Sequence, residues 1–191
     1  LGSPADLSAL WSDYCRQVLT TGVPDSFEIG LDTTRGPRWA EASVAPEIAA
    51  DGAVAHVVVT LRDITRRHRA EEDLLRLATR DTLTGLANRA VLADDLERAL
   101  PSAARSGALT AVLMIDLDRF KNVNDSLGHG TGDELLRAVG QRMRELVRAG
   151  DLVARTGGDE FVIVMREVAA EDEAAQKARA IVAAFRQPFT V

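Results

Sequence analysis

The spacing of apolar residues changes along the chain, and each change predicts a different kind of element. Leu7, Leu10, Tyr14 and Val18 recur every three or four residues, which predicts an opening amphipathic helix. Phe27-Glu28-Ile29-Gly30-Leu31 then alternates apolar with other residues, the period-two signature of a half-buried strand. Gly36-Pro37 reads as a turn, Trp39 to Val44 as a second strand, and Asp51-Gly52 as a hairpin tip leading to a third strand from Val54 to Leu61. Residues 1–63 are thus expected to form a small antiparallel sheet behind a helix, incomplete as an independently stable unit.

Residues 64–79 are different material. Arg66-Arg67-His68-Arg69-Ala70-Glu71-Glu72-Asp73 is dense in charge, and Ala70, Leu74 and Leu77 fall on one helical face. Two readings stand at this point. The segment is either a solvated surface helix or a connecting helix that pairs with its twin in a dimer, and two turns of apolar spacing are too few to establish a coiled coil. Residues 80–191 alternate helical and strand-like patterns. Leu92, Leu96, Ala99 and Leu100 form a helical stripe expected to stop near Pro101. Ala111 to Ile115 is a continuous apolar run that suits a central strand buried on both faces. Leu136, Val139, Met143 and Leu146 have helical spacing, Leu152–Ala154 and Phe161–Met165 are strand candidates around a Gly-Gly turn, and Ala174, Ala178, Ile181, Val182 and Phe185 mark a last helix. The predicted fold class is α/β (α+β): a central sheet flanked by helices over 80–191, joined by the 64–79 helix to the small antiparallel sheet of 1–63.

Composition narrows the function classes. Of 191 residues, 46% are apolar and 27% charged, ordinary values for a chain that buries a core. The net charge of −6 argues against a nucleic-acid polymer as partner. It leaves room for a nucleotide, because a bound metal ion reverses the local charge of an acidic site. Cys15 is the single cysteine, so no internal disulfide forms, which mildly favours a reducing compartment. No apolar run approaches the roughly 20 residues of a membrane span, and Leu1-Gly2-Ser3-Pro4 lacks the basic start of a signal peptide. The chain also lacks an initiator methionine. The expectation is a cytoplasmic fragment of a longer protein, with any membrane tether outside these residues.

Two features carry chemistry. Asp116 and Asp118 follow a buried apolar strand, and strand alternation would aim both the same way. Paired carboxylates are ligands for hard, phosphate-bound ions; a solvated strand end capping the next helix is the plainer reading. In Arg155-Thr156-Gly157-Gly158-Asp159-Glu160-Phe161, two strand-like runs flank a Gly-Gly turn and two acids enter a strand that is then wholly apolar. A hairpin tip often carries Gly and Asp for conformational reasons alone. If this tip lies beside the end of the Ala111–Ile115 strand, Asp116 and Asp159 would share metal ions suited to phosphoryl transfer.

Gly157 to Phe161 resembles the signature of the GGDEF family of diguanylate cyclases, and three further motifs occur in the family's order. Asp81-Thr82-Leu83-Thr84-Gly85-Leu86-Ala87-Asn88-Arg89 resembles its opening motif. Asp116-Leu117-Asp118-Arg119-Phe120-Lys121-Asn122-Val123-Asn124-Asp125 resembles its metal and substrate segment, and Leu127-Gly128-His129-Gly130-Thr131-Gly132-Asp133 the segment after it. The resemblance implies a reaction that joins two GTP into cyclic di-GMP and releases two pyrophosphates. It implies Mg²⁺ or Mn²⁺, two ions per active half-site, held by Asp116, Asp159 and the carbonyl of Leu117. It places Asn124 and Asp133 at the guanine edge, Phe120, Lys121, Gly157 and Gly158 around the phosphates, and Glu160 beside the metal or the attacking 3′-hydroxyl. Each domain holds one GTP, so a homodimer is needed for catalysis.

That need favours the dimer reading of the 64–79 helix. Leu61-Arg62-Asp63-Ile64-Thr65-Arg66-Arg67 resembles the close of a PAS sensory domain, of which residues 1–63 cover the C-terminal half; the sensor's own ligand has no signature here. Arg148-Ala149-Gly150-Asp151, with five residues between it and Gly157, resembles the family's inhibitory site, where cyclic di-GMP acts as feedback inhibitor. An i,i+3 salt bridge is the bland alternative for that pair. Family members continue beyond Gln187-Pro188-Phe189-Thr190-Val191 with a further strand and a late basic segment, so the 191-residue chain is expected to be weakly active or inactive by itself. Two other readings are a nucleotide-binding regulatory module without turnover and a cyclase acting within one purine nucleotide.

Overall fold

The computed structural model describes residues 4–190, with side chains from Leu10 onward; the predicted helical contact of Leu7 lies outside them. The chain divides into two compact units, between Asp73 and Leu74.

In the first unit, helix α1 (Pro4–Thr21) precedes strands β1 (Asp25–Thr33), β2 (Gly36–Ile48) and β3 (Val54–Asp63) in an antiparallel sheet of order β1-β2-β3. The register sets Phe27 opposite Ala42, which on its other side faces Leu61, and Ile29 opposite Ala40, so the alternation predicted from sequence becomes one apolar face. Helix α1 lays Trp11 and Tyr14 on the Phe27 ring, at 5.3 and 4.0 Å between centroids, and buries Val18 completely. The first turn is not at Gly36-Pro37. It is Thr34-Arg35, and Gly36 and Pro37 already belong to β2. The reason is local: the Thr33 hydroxyl donates to the Gly36 carbonyl at 2.7 Å and accepts the Arg35 N–H, closing a two-residue turn, while Gly36 supplies the positive φ of 96°. Pro37 and Pro46 are tolerated because each lies where β2 is paired on one side only.

Helix α2 (Thr65–Thr79) starts from the sheet. Asp63 Oδ1 accepts the Thr65 N–H at 2.8 Å, and the Thr65 hydroxyl accepts the Trp39 N–H at 2.9 Å and donates to the Trp39 carbonyl. One turn later His68 stacks on Trp39 at 4.1 Å, and His68 and Arg67 both engage Glu28. Thr65 is 2% exposed, so Thr65→Val strands the Trp39 N–H without water. This substitution is expected to destabilise the first unit by about 1–3 kcal/mol, read as a lower denaturant midpoint with an unchanged slope.

The second unit holds α3 (Arg89–Ser106), β4 (Leu109–Asp116), α4 (Phe120–Leu127), α5 (His129–Leu146), β5 (Leu152–Gly157), β6 (Glu160–Val168) and α6 (Glu171–Phe185). Its sheet is antiparallel in the order β4-β6-β5, so the mixed prediction resolves to α+β. Two details depart from the sequence reading. Helix α3 does not stop near Pro101 but runs to Ser106. The proline costs one main-chain bond, the following alanines are strong helix formers, and Gly107 at φ 73° caps the end. Among the described residues the apolar run of β4 is not central either. The central strand is β6, whose Phe161, Ile163 and Met165 face Leu136, Val139, Met143 and Ile181, while Val162 and Val164 face Leu92. On β4, Leu113 and Ile115 pack on the core, but Val112 and Met114 are exposed. A short apolar run has the same appearance whether one of its faces or both are covered. No helix among the described residues is long and apolar enough to cross a membrane.

Candidate active site

Strands β5 and β6 form a hairpin closed by Gly157 opposite Glu160, with Gly158 and Asp159 at its tip. Both glycines are required by backbone conformation, with φ of 147° and 54°. The tip does lie beside the end of β4: Asp116, the last residue of that strand, is directly opposite Glu160, the first of β6. Asp118 falls in the turn after β4, outside the strand alternation, yet it lines the same cavity of about 720 Å³ as Asp116 and Leu117.

Like charges directly opposite in a ladder repel, and among the described residues no basic side chain pairs with Asp116, Asp159 or Glu160. The only side-chain partner of Glu160 there is the Thr156 hydroxyl, at 3.2 Å. The donor set fits a hard cation: carboxylate oxygens from two adjoining strand ends and the Leu117 carbonyl, oxygen ligands that Mg²⁺ and Mn²⁺ prefer. No group of three or more acidic, His or Cys side chains among the described residues is gathered tightly enough to hold an ion by itself.

Helix α4 begins at Phe120, after Arg119 in the left-handed region at φ 61°. Phe120 is partly buried against the core and lines the same cavity, and its N–H donates to the Leu117 carbonyl at 3.1 Å. Lys121 is exposed on the first turn of α4. Asn124, on the same helix, reaches α5 at Gly132, the residue before Asp133. A Cβ on Gly132 would stand 1.9 Å from Asn124 Oδ1 and 3.2 Å from Phe120 Cζ. The missing side chain of Gly132 is therefore what admits the Asn124 amide. Neither Asn124 nor Asp133 has a hydrogen-bonded side-chain partner among the described residues, so both present free polar groups.

Arg148 and Asp151 form the i,i+3 salt bridge. Arg148 Nε donates to Asp151 Oδ1 at 3.2 Å, Nη1 to Glu173 Oε1 at 3.3 Å, and Nη2 to the Arg166 carbonyl. All three guanidinium nitrogens are engaged within the chain.

Sequence reasoning assigned no role to the residues that hold the hairpin tip in place. Arg155 Nε and Nη2 donate to the Gly158 carbonyl at 3.0 and 2.6 Å, and Nη1 donates to both oxygens of Asp81 at 3.0 and 3.1 Å. Asp81 Oδ1 also accepts from the N–H and hydroxyl of Thr84, at 2.8 and 2.6 Å. The segment after α2 thus clasps the tip, and Ala87 extends the clasp by pairing with Ala154 on β5. An Asp-x-x-Thr turn with an arginine two residues before a Gly-Gly pair was the available signal, but their 74-residue separation hid the pairing. Burial pushes the Asp81 carboxyl up, yet hydrogen bonds from Thr84 and the Arg155 guanidinium outweigh it and hold the group below its ordinary value. A depressed carboxyl stabilises the fold above its unfolded pKa, near 3.8, and that contribution disappears as pH falls through the lower folded value. Acid titration followed by circular dichroism is expected to show a stability loss beginning near pH 4, and Asp81→Asn should flatten that limb.

The fold and site define a carboxylate-tipped α+β domain preceded by a helix-and-sheet unit. Residues 78–191 match the family model described as diguanylate cyclase, GGDEF domain, and residues 3–69 match the PAS fold model. The chain belongs to the GGDEF family. It is 46% identical over 123 residues to the bifunctional diguanylate cyclase/cyclic di-GMP phosphodiesterase MucR of Pseudomonas aeruginosa, covering 64% of this chain and 18% of that protein. It is 41% identical over 128 residues to the diguanylate cyclase DosC of Escherichia coli, covering 67% and 26%. The chain thus spans about a quarter or less of the length of these curated relatives. Among solved structures, it resembles the GGDEF domain of TpbB from Pseudomonas aeruginosa, with TM-score 0.56 and 44% identity over 58% of this chain and 64% of that one. It also resembles the coiled coil and GGDEF domain of DgcB from Caulobacter crescentus in complex with c-di-GMP, with TM-score 0.56 and 33% identity over 62% and 61%.

Proposed function

We propose that this protein is a diguanylate cyclase that condenses two GTP into cyclic di-GMP, with release of two pyrophosphates, under the control of its PAS-like unit and of its product. The observation that carries the reading is the pairing of Asp116 with Glu160 at the foot of the Gly158-Asp159 tip, which sets carboxylates from both strand ends together, with no ion pair to them among the described residues.

Asp116, Asp159 and the Leu117 carbonyl would hold Mg²⁺ or Mn²⁺, which neutralises phosphate charge and polarises the reacting oxygens. The protein's own residues do the positioning. Asn124 and Asp133 supply the amide and carboxylate that match the guanine edge. Lys121 places a point charge on the phosphates, and the side-chain-free backbone of Gly157 and Gly158 lets them approach closely. The Arg155–Asp81 clasp keeps the tip from drifting, which matters because near-attack geometry tolerates displacements well below 1 Å. Attack by the 3′-oxygen of one GTP on the α-phosphate of another requires two such domains facing each other. Exposed Leu74, Leu75 and Leu77 on α2 give a second copy an apolar surface to pair with. The three-residue link from the Trp39 sheet to α2, through Asp63, Ile64 and Thr65, is the route by which the PAS-like unit would set that pairing.

The test is incubation of the 191-residue chain with GTP and Mg²⁺, with mass analysis of the product and sedimentation to read its association state. Cyclic di-GMP formed at a rate that rises with dimer population supports the reading. A product cyclised within one nucleotide overturns it. Because the 191-residue chain is expected to be weakly active by itself, GTP binding without turnover overturns it when a longer form of the chain that carries the further strand and late basic segment is dimeric and also makes no product.

A further inference from the structure

We infer that Glu173 is a built-in competitor of the product for Arg148, so that feedback inhibition in this protein is weakened by a side chain of its own domain. The inference rests on reading Arg148 and Asp151 as the product site. An arginine that binds a phosphodiester presents its planar fork of N–H donors to the phosphate oxygens. Here the fork is already taken, and its three partners differ in how readily they can be replaced. Asp151 has a side chain fully removed from solvent, and its N–H donates back to the Arg148 carbonyl at 3.0 Å. The Arg166 carbonyl belongs to the main chain of β6. Glu173 is the replaceable one: its side chain is 36% exposed against 50% for Arg148, and the pair is joined by one bond of 3.3 Å.

Glu173 is also held ready for the role. It stands on the first turn of α6, where its Oε2 accepts the Ala169 N–H at 3.0 Å while Oε1 faces Arg148. A carboxylate anchored through one oxygen loses little freedom by pairing through the other, so it competes better than a freely rotating glutamate would. One turn along the same helix, Lys177 Nζ donates to the Leu146 carbonyl at 2.7 Å, which fixes α6 against the segment leading to Arg148. A carboxylate and a phosphodiester each carry one negative charge and accept from the same donors. Product therefore gains Nη1 only by displacing Glu173.

The experiment is calorimetric titration of the 191-residue chain with cyclic di-GMP at fixed ionic strength. Glu173→Gln keeps the length and an acceptor for the Ala169 N–H while removing the charge, so it is expected to tighten binding by about two- to fivefold, the worth of a half-exposed ion pair. Glu171→Gln, on the same turn without contact to Arg148, controls for the general field and is expected to change affinity little. Arg148→Ala is expected to lose at least about tenfold. Arg148→Ala binding like the unmutated chain, or no binding by any variant, overturns the product-site reading itself. Loss of binding in Arg148→Ala together with no tightening in Glu173→Gln, or with equal tightening in Glu171→Gln, leaves that reading intact and overturns the competitor role of Glu173.

Discussion

Asp159→Ala is expected to reduce cyclic di-GMP formation by at least about 100-fold while leaving the fold intact. Asp159 sits at the hairpin tip between Gly158 and Glu160, and no side chain among the described residues depends on it. Its removal breaks none of the bonds that place the tip, because Arg155 holds the Gly158 carbonyl and not the Asp159 side chain. Substitutions free of such contacts usually change stability by no more than about 0.5 kcal/mol. Losing even a supporting group of a metal site costs about 10–100-fold in affinity or activity, and a direct ligand costs at least as much. Mn²⁺ binding followed by electron paramagnetic resonance gives a readout independent of turnover. Metal affinity and product yield that both survive Asp159→Ala would remove Asp159 from the metal-binding role.

Gly132→Ala is expected to separate recognition from folding. Within a helix the exchange gains about 1 kcal/mol of propensity. The new methyl, however, would stand 1.9 Å from Asn124 Oδ1, 3.0 Å from its Cγ and 3.2 Å from Phe120 Cζ. Asn124 has a short side chain and can swing aside, so the structural penalty is small and largely offset by the helix gain. The amide then leaves its place against Gly132. A paired polar contact to a base edge is worth about 1–3 kcal/mol, so GTP affinity should fall by about 10- to 100-fold, with thermal stability nearly unchanged. Isothermal titration with a non-hydrolysable GTP analogue, beside a melting curve, checks both halves. Unchanged affinity would show that the Asn124 amide does not read the base.

Much of the element pattern was legible before any coordinates. The alternation of Phe27, Ile29 and Leu31 became one apolar sheet face, and Leu136, Val139 and Met143 became the buried stripe of α5. The start of α5 was not legible. Three glycines in Leu127–Asp133 resemble a loop by propensity, yet the helix begins at His129 and carries Gly130 and Gly132 within it. At Gly132 tertiary contact overrides propensity, because Asn124 and Phe120 occupy the space a side chain would fill; at Gly130 that space is open. The Ala111–Ile115 run reads as a central strand yet lies at the edge of the sheet among the described residues, for a related reason. Hydrophobicity reports that a residue can be buried, but which faces are covered depends on the neighbours the chain supplies.

The candidate site divides the same way. Residue identity and local order alone single out Asp116, Asp118 and the Gly157–Phe161 turn, because carboxylate ligands and positive-φ glycines advertise their chemistry one residue at a time, whereas Asn124 and Asp133 enter only through the resemblance of their segments to the GGDEF family. Local spacing could not join Asp81 to Arg155, nor Arg148 to Glu173, since each pair is brought together by folding across tens of residues. Long-range ion pairs leave no period in a sequence, and packing decides which charges meet. The Gly158-Asp159 tip is therefore written in five consecutive residues, whereas the clasp that holds it and the carboxylate that occupies the neighbouring arginine exist only in the folded domain.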